Sequence, residues 1–73
     1  MTAIYRAKRN VMVRCVKLGG YSWQEVQKDQ SLVYKGVLRE DPKFVELVDS
    51  YTNEVFFVTN KQLSRNFDLV ATP

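Results

Sequence analysis

The stretch Phe44–Val58, FVELVDSYTNEVFFV, decides the fold that the sequence predicts. Its two ends are rich in valine, phenylalanine and leucine, which favour the pleated, half-buried surface of a β-sheet. The polar segment 49–54 between them contains turn-forming residues, and Asn53 can adopt the left-handed conformation that closes a hairpin loop. The stretch therefore predicts a β-hairpin.

A three-residue loop at 51–53 would place Leu47 opposite Phe57 and Val48 opposite Phe56. Side chains alternate between the two faces of a strand. One face would then carry Phe44, Glu46, Val48, Phe56 and Val58, and the other Val45, Leu47, Asp49, Val55 and Phe57.

Both predicted faces of the hairpin are largely apolar, whereas a hairpin with one solvated face alternates between apolar and polar residues. One explanation is a strongly bent sheet whose two sides are both covered within a small barrel. The other is that one face binds a partner or a second copy of the chain, because large exposed apolar patches mark interaction sites.

Length and charge bound the remaining possibilities. The 73 residues form one domain, 1–73, with 45% hydrophobic residues and a net charge of +3. The first 24 residues carry five basic residues and no acidic one, and this asymmetry indicates a basic surface for nucleic acid or another acidic partner.

The sequence also predicts a cytoplasmic protein. No apolar run approaches the roughly 20 residues that span a membrane. Arg14 and Lys17 interrupt the stretch that could otherwise resemble a secretory signal. Cys15 is the only cysteine, which excludes an internal disulfide and fits a reducing compartment.

Shorter elements flank the hairpin. Ser22 and Glu25 have the spacing of a capping box, so a short helix is predicted within Tyr21–Gln30 with Trp23 in the core; an irregular excursion is the alternative. Asn60 can cap one helical turn, and Gly36 suggests a bulge. The other predicted strands are Ala3–Arg6, Val11–Leu18, Leu32–Arg39 and Phe67–Val70.

This order predicts a mainly β fold: a small antiparallel barrel of five to six strands, with one short helix and a one-turn helix before the last strand. A compact α+β sheet with one helix on one face is the alternative. In its topology the chain resembles the SH3-like barrels over residues 11–70. An excursion at Gly19–Ser31 follows an early strand, a three-strand meander covers Leu32–Thr59, and a one-turn helix leads into the last strand. The resemblance implies a small binding module for protein, peptide or nucleic acid.

The sequence lacks the residues and motifs that most often indicate an enzyme. There is no histidine and no glycine-rich phosphate loop, and one cysteine cannot build a structural zinc site. Cys15 lies within an apolar strand and is predicted to be a buried thiol. We therefore expect no enzymatic activity, no cofactor and no small-molecule substrate.

Two functional hypotheses remain. In the first, the protein is an interaction module that binds and modulates a partner protein or forms a homodimer. The analogy is with small phage and mobile-element proteins, which bind and redirect host factors. Its predicted partner-binding residues are Val45, Leu47, Val55 and Phe57.

The second hypothesis is a nucleic-acid-binding barrel, in which cations neutralise phosphates and aromatic rings stack on bases. The alternative is that these residues have no binding function. The basic side chains would then form a solvated strand edge that discourages edge-to-edge pairing, and Trp23 would lie in the core. The predicted nucleic-acid-binding residues are Arg6, Lys8, Arg9, Arg14, Lys17 and Trp23.

Overall fold

A computed structural model of the protein describes residues 3–17 and 19–71. Seven strands and one short helix make up this part of the chain. In chain order they are β1 (Ile4–Ala7), β2 (Val11–Lys17), β3 (Gly20–Val26), β4 (Ser31–Val37), β5 (Phe44–Val48), β6 (Val55–Thr59), α1 (Asn60–Asn66) and β7 (Phe67–Ala71).

All seven strands belong to one sheet in the order β3-β2-β6-β5-β4-β1-β7, and every described pairing is antiparallel. β4, β5 and β6 form a meander. β2 and β3 form a hairpin inserted between β1 and β4 along the chain, and β2 pairs with the far side of the meander at β6. After α1, the last strand returns to pair with the first.

Each strand and the helix contribute side chains to a single core, so the sheet must curve around it. This architecture confirms the predicted mainly β class and is compatible with a small β-barrel, although it has more strands than the predicted five to six. The buried apolar side chains are Ala7, Val13, Cys15, Val26, Leu32, Val45, Leu47, Phe56, Val58, Leu63 and Phe67.

The hairpin at 44–58 is present, but its predicted register is wrong by one residue. Leu47 lies opposite Phe56 and not Phe57. The backbone N–H of Asp49 donates to the carbonyl of Glu54 (2.9 Å), so the loop has four residues and not three. Asn53 has the expected positive φ of 62°. Since a one-residue slip exchanges the two faces of one strand relative to the other, the predicted faces mix core and surface residues.

The segment predicted to contain a short helix is instead strand β3. Gly20–Val26 pairs with β2 over its whole length, and Trp23 points away from the core with 64% of its surface exposed. The capping-box spacing of Ser22 and Glu25 therefore has no helix to cap. The pairing also places β2 inside the sheet, whereas the expected placement of Arg14 and Lys17 on opposite faces of the strand predicted a position at an edge or near a solvent-open end.

Other local predictions are confirmed. The register shifts between Tyr34 and Gly36, where a bulge was expected, and Gly36 has a φ of 122° that favours glycine. A short helix does precede the last strand and ends at Asn66. Its N-cap is Thr59 and not Asn60, because the Thr59 hydroxyl accepts a hydrogen bond from the backbone N–H of Gln62.

Candidate interaction surface

The outward side of the sheet at β2, β3, β5 and β6 carries an unusual concentration of aromatic side chains. The strand pairing explains it: Arg14 lies opposite Trp23 on one neighbour and opposite Phe57 on the other. Val13 and Cys15, the residues before and after Arg14 on β2, are buried in the core. Because side chains alternate along a strand, Arg14 lies on the outer side of the sheet. We call this group the aromatic face, and its members are Arg14, Tyr21, Trp23, Phe44 and Phe57.

Arg14 occupies the centre of the aromatic face. Its guanidinium carbon lies 5.6 Å from the ring centre of Tyr21, 5.8 Å from that of Trp23 and 5.3 Å from that of Phe44. All three distances fall within the range of cation–π attraction. The cation therefore holds two rings of β3 and one of β5 in one arrangement, and no carboxylate lies within ion-pair distance of it among the described residues.

A shallow groove adjoins the aromatic face. Tyr21 and Phe57 form one wall, with ring centres 6.0 Å apart and ring planes inclined by 56°. Leu38 and Glu40, from the loop after β4, also line the groove, which has a volume of about 460 Å³. Its lining is mainly apolar and includes one acidic residue, so it suits an apolar or aromatic side chain of a bound partner.

The exposed part of this surface is large for so small a protein. Trp23 and Tyr21 are 64% and 63% exposed, and Met12 and Val16 on β2 add further exposed apolar area beside them. Aromatic rings usually lose most of their contact with water on folding because they bury a large apolar area. Contiguous apolar surface of this kind is typical of a binding site.

The structure separates the four predicted partner-binding residues. Val45 and Leu47 are completely buried and belong to the core, so their assignment to a docking surface is wrong. Val55 and Phe57 lie on the opposite side of the sheet and are partly exposed. The physical reason is the hairpin register, because the four-residue loop places Val45 and Leu47 on the same side as Phe56 and Val58.

The predicted basic site is also divided. Arg14 and Trp23 are in contact on the aromatic face. Arg6 lies on β1, and Lys8 and Arg9 occupy the exposed turn that follows it; the Lys8 ammonium lies 3.6 Å from the Asp68 carboxylate. In the sheet order, β6, β5 and β4 separate β2 from β1. The side chain of Lys17 lies outside the described residues.

Neither Tyr21 nor Phe44 is among the predicted site residues. The alternation of Tyr21, Trp23 and Glu25 with Ser22, Gln24 and Val26 was the available signal for β3. It is obscured because the outward residues are the more apolar ones and two of the three inward residues are polar. Phe44 was assigned to the correct strand, but its role depends on Arg14, which is 30 positions away in sequence.

Comparison with known proteins does not extend these observations. No family model matches the chain, and no curated protein or solved structure matches it significantly. The helix that the structure describes is too short to cross a membrane. The described residues contain no group of three or more cysteine, aspartate or glutamate side chains placed to hold a metal ion.

Proposed function

We propose that this protein is a non-enzymatic binding module that holds and modulates a partner protein through its aromatic face. The observation that carries the proposal is the cluster formed by the exposed Trp23 and Tyr21 with the half-buried Arg14. These three residue types are the ones most enriched among the residues that dominate binding energy in protein interfaces. Here they are adjacent and attached to a continuous sheet.

The rigidity of the scaffold favours tight binding. Each ring of the aromatic face is attached to a strand, and Arg14 contacts three of the rings in the free protein. A partner that docks here has fewer side-chain rotamers to immobilise, which lowers the entropic cost of association. The groove beside Phe57 supplies a recess for an anchoring side chain.

The type of barrel, the cellular compartment and the kind of partner remain predictions. The inserted hairpin, the meander and the helix before the final strand support an SH3-like barrel, and this resemblance implies a small binding module. The lone cysteine supports a cytoplasmic protein. By analogy with small phage and mobile-element proteins, the partner would be a host factor whose activity changes on binding.

Nucleic-acid binding is the second candidate, and one observation favours it. Trp23 presents an exposed ring beside a cation, which is the combination that binds a base and its phosphate in single-stranded nucleic acid. The basic residues of β1 and the following turn lie on a part of the sheet that β6, β5 and β4 separate from Arg14, however, so they do not adjoin this cation. We therefore rank this candidate second.

The test of the protein-binding proposal compares matched variants. Tagged wild-type protein and the Trp23→Ala and Leu69→Ala variants are used to capture proteins from the native host, and each captured protein is purified and titrated. Leu69 is an exposed apolar residue on β7, outside the aromatic face, and is the control. We expect Trp23→Ala to weaken binding at least about 30-fold, or about 2 kcal/mol, and Leu69→Ala to have no effect.

Equal effects of the two variants would overturn the proposed site. Titration of fluorescent single- and double-stranded DNA and RNA at low and moderate salt tests the second candidate. Salt-sensitive binding that Trp23→Ala abolishes would favour nucleic acid over protein. Absence of such binding would exclude it.

A further inference from the structure

We propose that two copies of this chain associate through β3, in antiparallel register centred on Trp23, and that their two aromatic faces become one surface. Within the described part of the chain, β3 is a terminal strand of the sheet order and pairs with β2 alone. A strand in this position presents unpaired backbone N–H and C=O groups along its outer side. Those groups form a template for another extended strand.

β3 lacks the devices that usually protect an edge strand. It runs for seven residues, and its pairing with β2 shows no bulge or register shift. It contains no lysine, arginine or proline, and Glu25 is its single charged residue. Long, regular and weakly charged edges are the ones that pair with other chains.

The opposite edge of the sheet is less suited to pairing. β7 has five residues, and its ladder with β1 contains a register shift at Ile4 and Tyr5. Asp68 places a carboxylate within it, 3.6 Å from the Lys8 ammonium. The comparison identifies β3 as the edge that a second copy would use.

The sequence of β3 is complementary to itself. With Trp23 opposite its symmetry mate, Tyr21 lies opposite Glu25 of the second copy, and Ser22 lies opposite Gln24. The tyrosine hydroxyl can donate to the carboxylate, and the serine and the amide can form a hydrogen bond on the other side. The one charge in the strand therefore meets no like charge, and the two indoles form an aromatic cross-strand pair.

This register has a consequence for the aromatic face. Outward residues stay outward across an antiparallel pair. The row Trp23, Arg14, Phe57 of one copy would thus continue directly into the same row of the other. The inference that this composite surface binds the partner rests on the proposed function, whereas the pairing of β3 with a second copy does not.

The experiment is sedimentation equilibrium of the full chain at concentrations from about 1 µM to about 1 mM, a range that brackets weak and moderate self-association. We expect the average mass to rise from 8.5 kDa toward twice that value. The critical variants are Tyr21→Glu and Tyr21→Lys. Both remove the same ring, but the first places like charges opposite each other at two symmetric positions and the second places opposite charges there.

We expect a dimer dissociation constant about tenfold higher for Tyr21→Glu than for Tyr21→Lys. The double variant Tyr21→Glu/Glu25→Lys restores opposite charges and should return to the value of Tyr21→Lys. Circular dichroism verifies that each variant is folded. A wild-type mass of 8.5 kDa at every concentration, or equal constants for the two single variants, would overturn the proposal.

The outcome is separable from that of the proposed function. A monomer that still binds its partner through Trp23 would refute the dimer and leave the binding function intact. A dimer with the expected charge dependence, but without a Trp23-dependent partner, would establish the association through β3 and refute the proposed function.

Discussion

Trp23 lies directly opposite Arg14 across the β2–β3 ladder, and the guanidinium carbon stands 5.8 Å from the centre of the indole ring. Because the pairing fixes both backbones, the contact is determined by the register of the hairpin. The cation holds the indole against the sheet while most of the ring remains in contact with water. An exposed tryptophan is thereby held in a defined position before any partner arrives.

The first prediction concerns the fluorescence of Trp23, which is the only tryptophan in the chain. Its 64% exposure should give an emission maximum close to that of the urea-unfolded protein, and iodide should quench it efficiently in the folded state. Steady-state emission spectra with an iodide titration measure both quantities. Blue-shifted emission that iodide fails to quench would mean that the indole is buried.

The second prediction tests which side of the hairpin forms the core. Leu47→Ala removes a completely buried side chain and should lower the free energy of unfolding by about 2–5 kcal/mol. Val55→Ala, on the partly exposed side, should cost less than about 1 kcal/mol. Urea unfolding followed by circular dichroism gives both values. A larger loss for Val55→Ala than for Leu47→Ala would contradict the observed register.

The strands of the hairpin at 44–58 could be predicted from the sequence, but their register could not. Its strands were predictable because runs of valine and phenylalanine flank a polar loop, and Asn53 takes the left-handed conformation as expected. The register was not predictable, since loops of three and four residues both fit segment 49–54. The choice depends on the hydrogen bonds of Asp49, which the composition of the loop does not reveal.

The secondary structure of β3 could not be predicted from its local sequence. Ser22 and Glu25 satisfy a local helical rule, but pairing with β2 overrides it, because a helix of two turns has little stability of its own. The aromatic face shares this dependence on tertiary pairing. Arg14 and Trp23 were both identified as candidates from the sequence, whereas the contact of Arg14 with Phe44 requires the order of the strands.

The third prediction addresses Asp49, the buried carboxylate of the hairpin loop. One of its oxygens accepts hydrogen bonds from the backbone N–H groups of Tyr51 (2.8 Å) and Thr52 (3.3 Å). The other oxygen accepts one from the Gln30 amide at 2.9 Å. Asp49→Ala leaves these donors without their acceptor and should cost about 1.5–3 kcal/mol.

Ser50→Ala is the control for Asp49→Ala, because Ser50 is an exposed neighbour in the same loop. It should change the free energy of unfolding by less than about 0.5 kcal/mol. Chemical denaturation of both variants decides the matter. Similar values for the two would show that the Asp49 hydrogen bonds do not stabilise the loop.

The fourth prediction distinguishes two adjacent candidates for the N-cap of α1. The Thr59 hydroxyl accepts a hydrogen bond from the backbone N–H of Gln62 at 3.0 Å, whereas Asn60 is exposed and lies in the first turn. Thr59→Ala should therefore lower the free energy of unfolding by about 1 kcal/mol, within the usual range for loss of a cap. Asn60→Ala should be neutral or slightly stabilising, since alanine has the higher helix propensity.

Both N-cap variants can be measured by urea unfolding under identical conditions, and the difference between them is more informative than either value. Thr59 also ends β6, where it lies opposite Phe44, so part of its cost could arise from lost strand packing. Thr59→Ser separates the two contributions, because serine keeps the capping hydroxyl and removes only the methyl group. Near wild-type stability of Thr59→Ser assigns the loss to the cap, whereas a loss equal to that of Thr59→Ala would assign it to packing against the sheet.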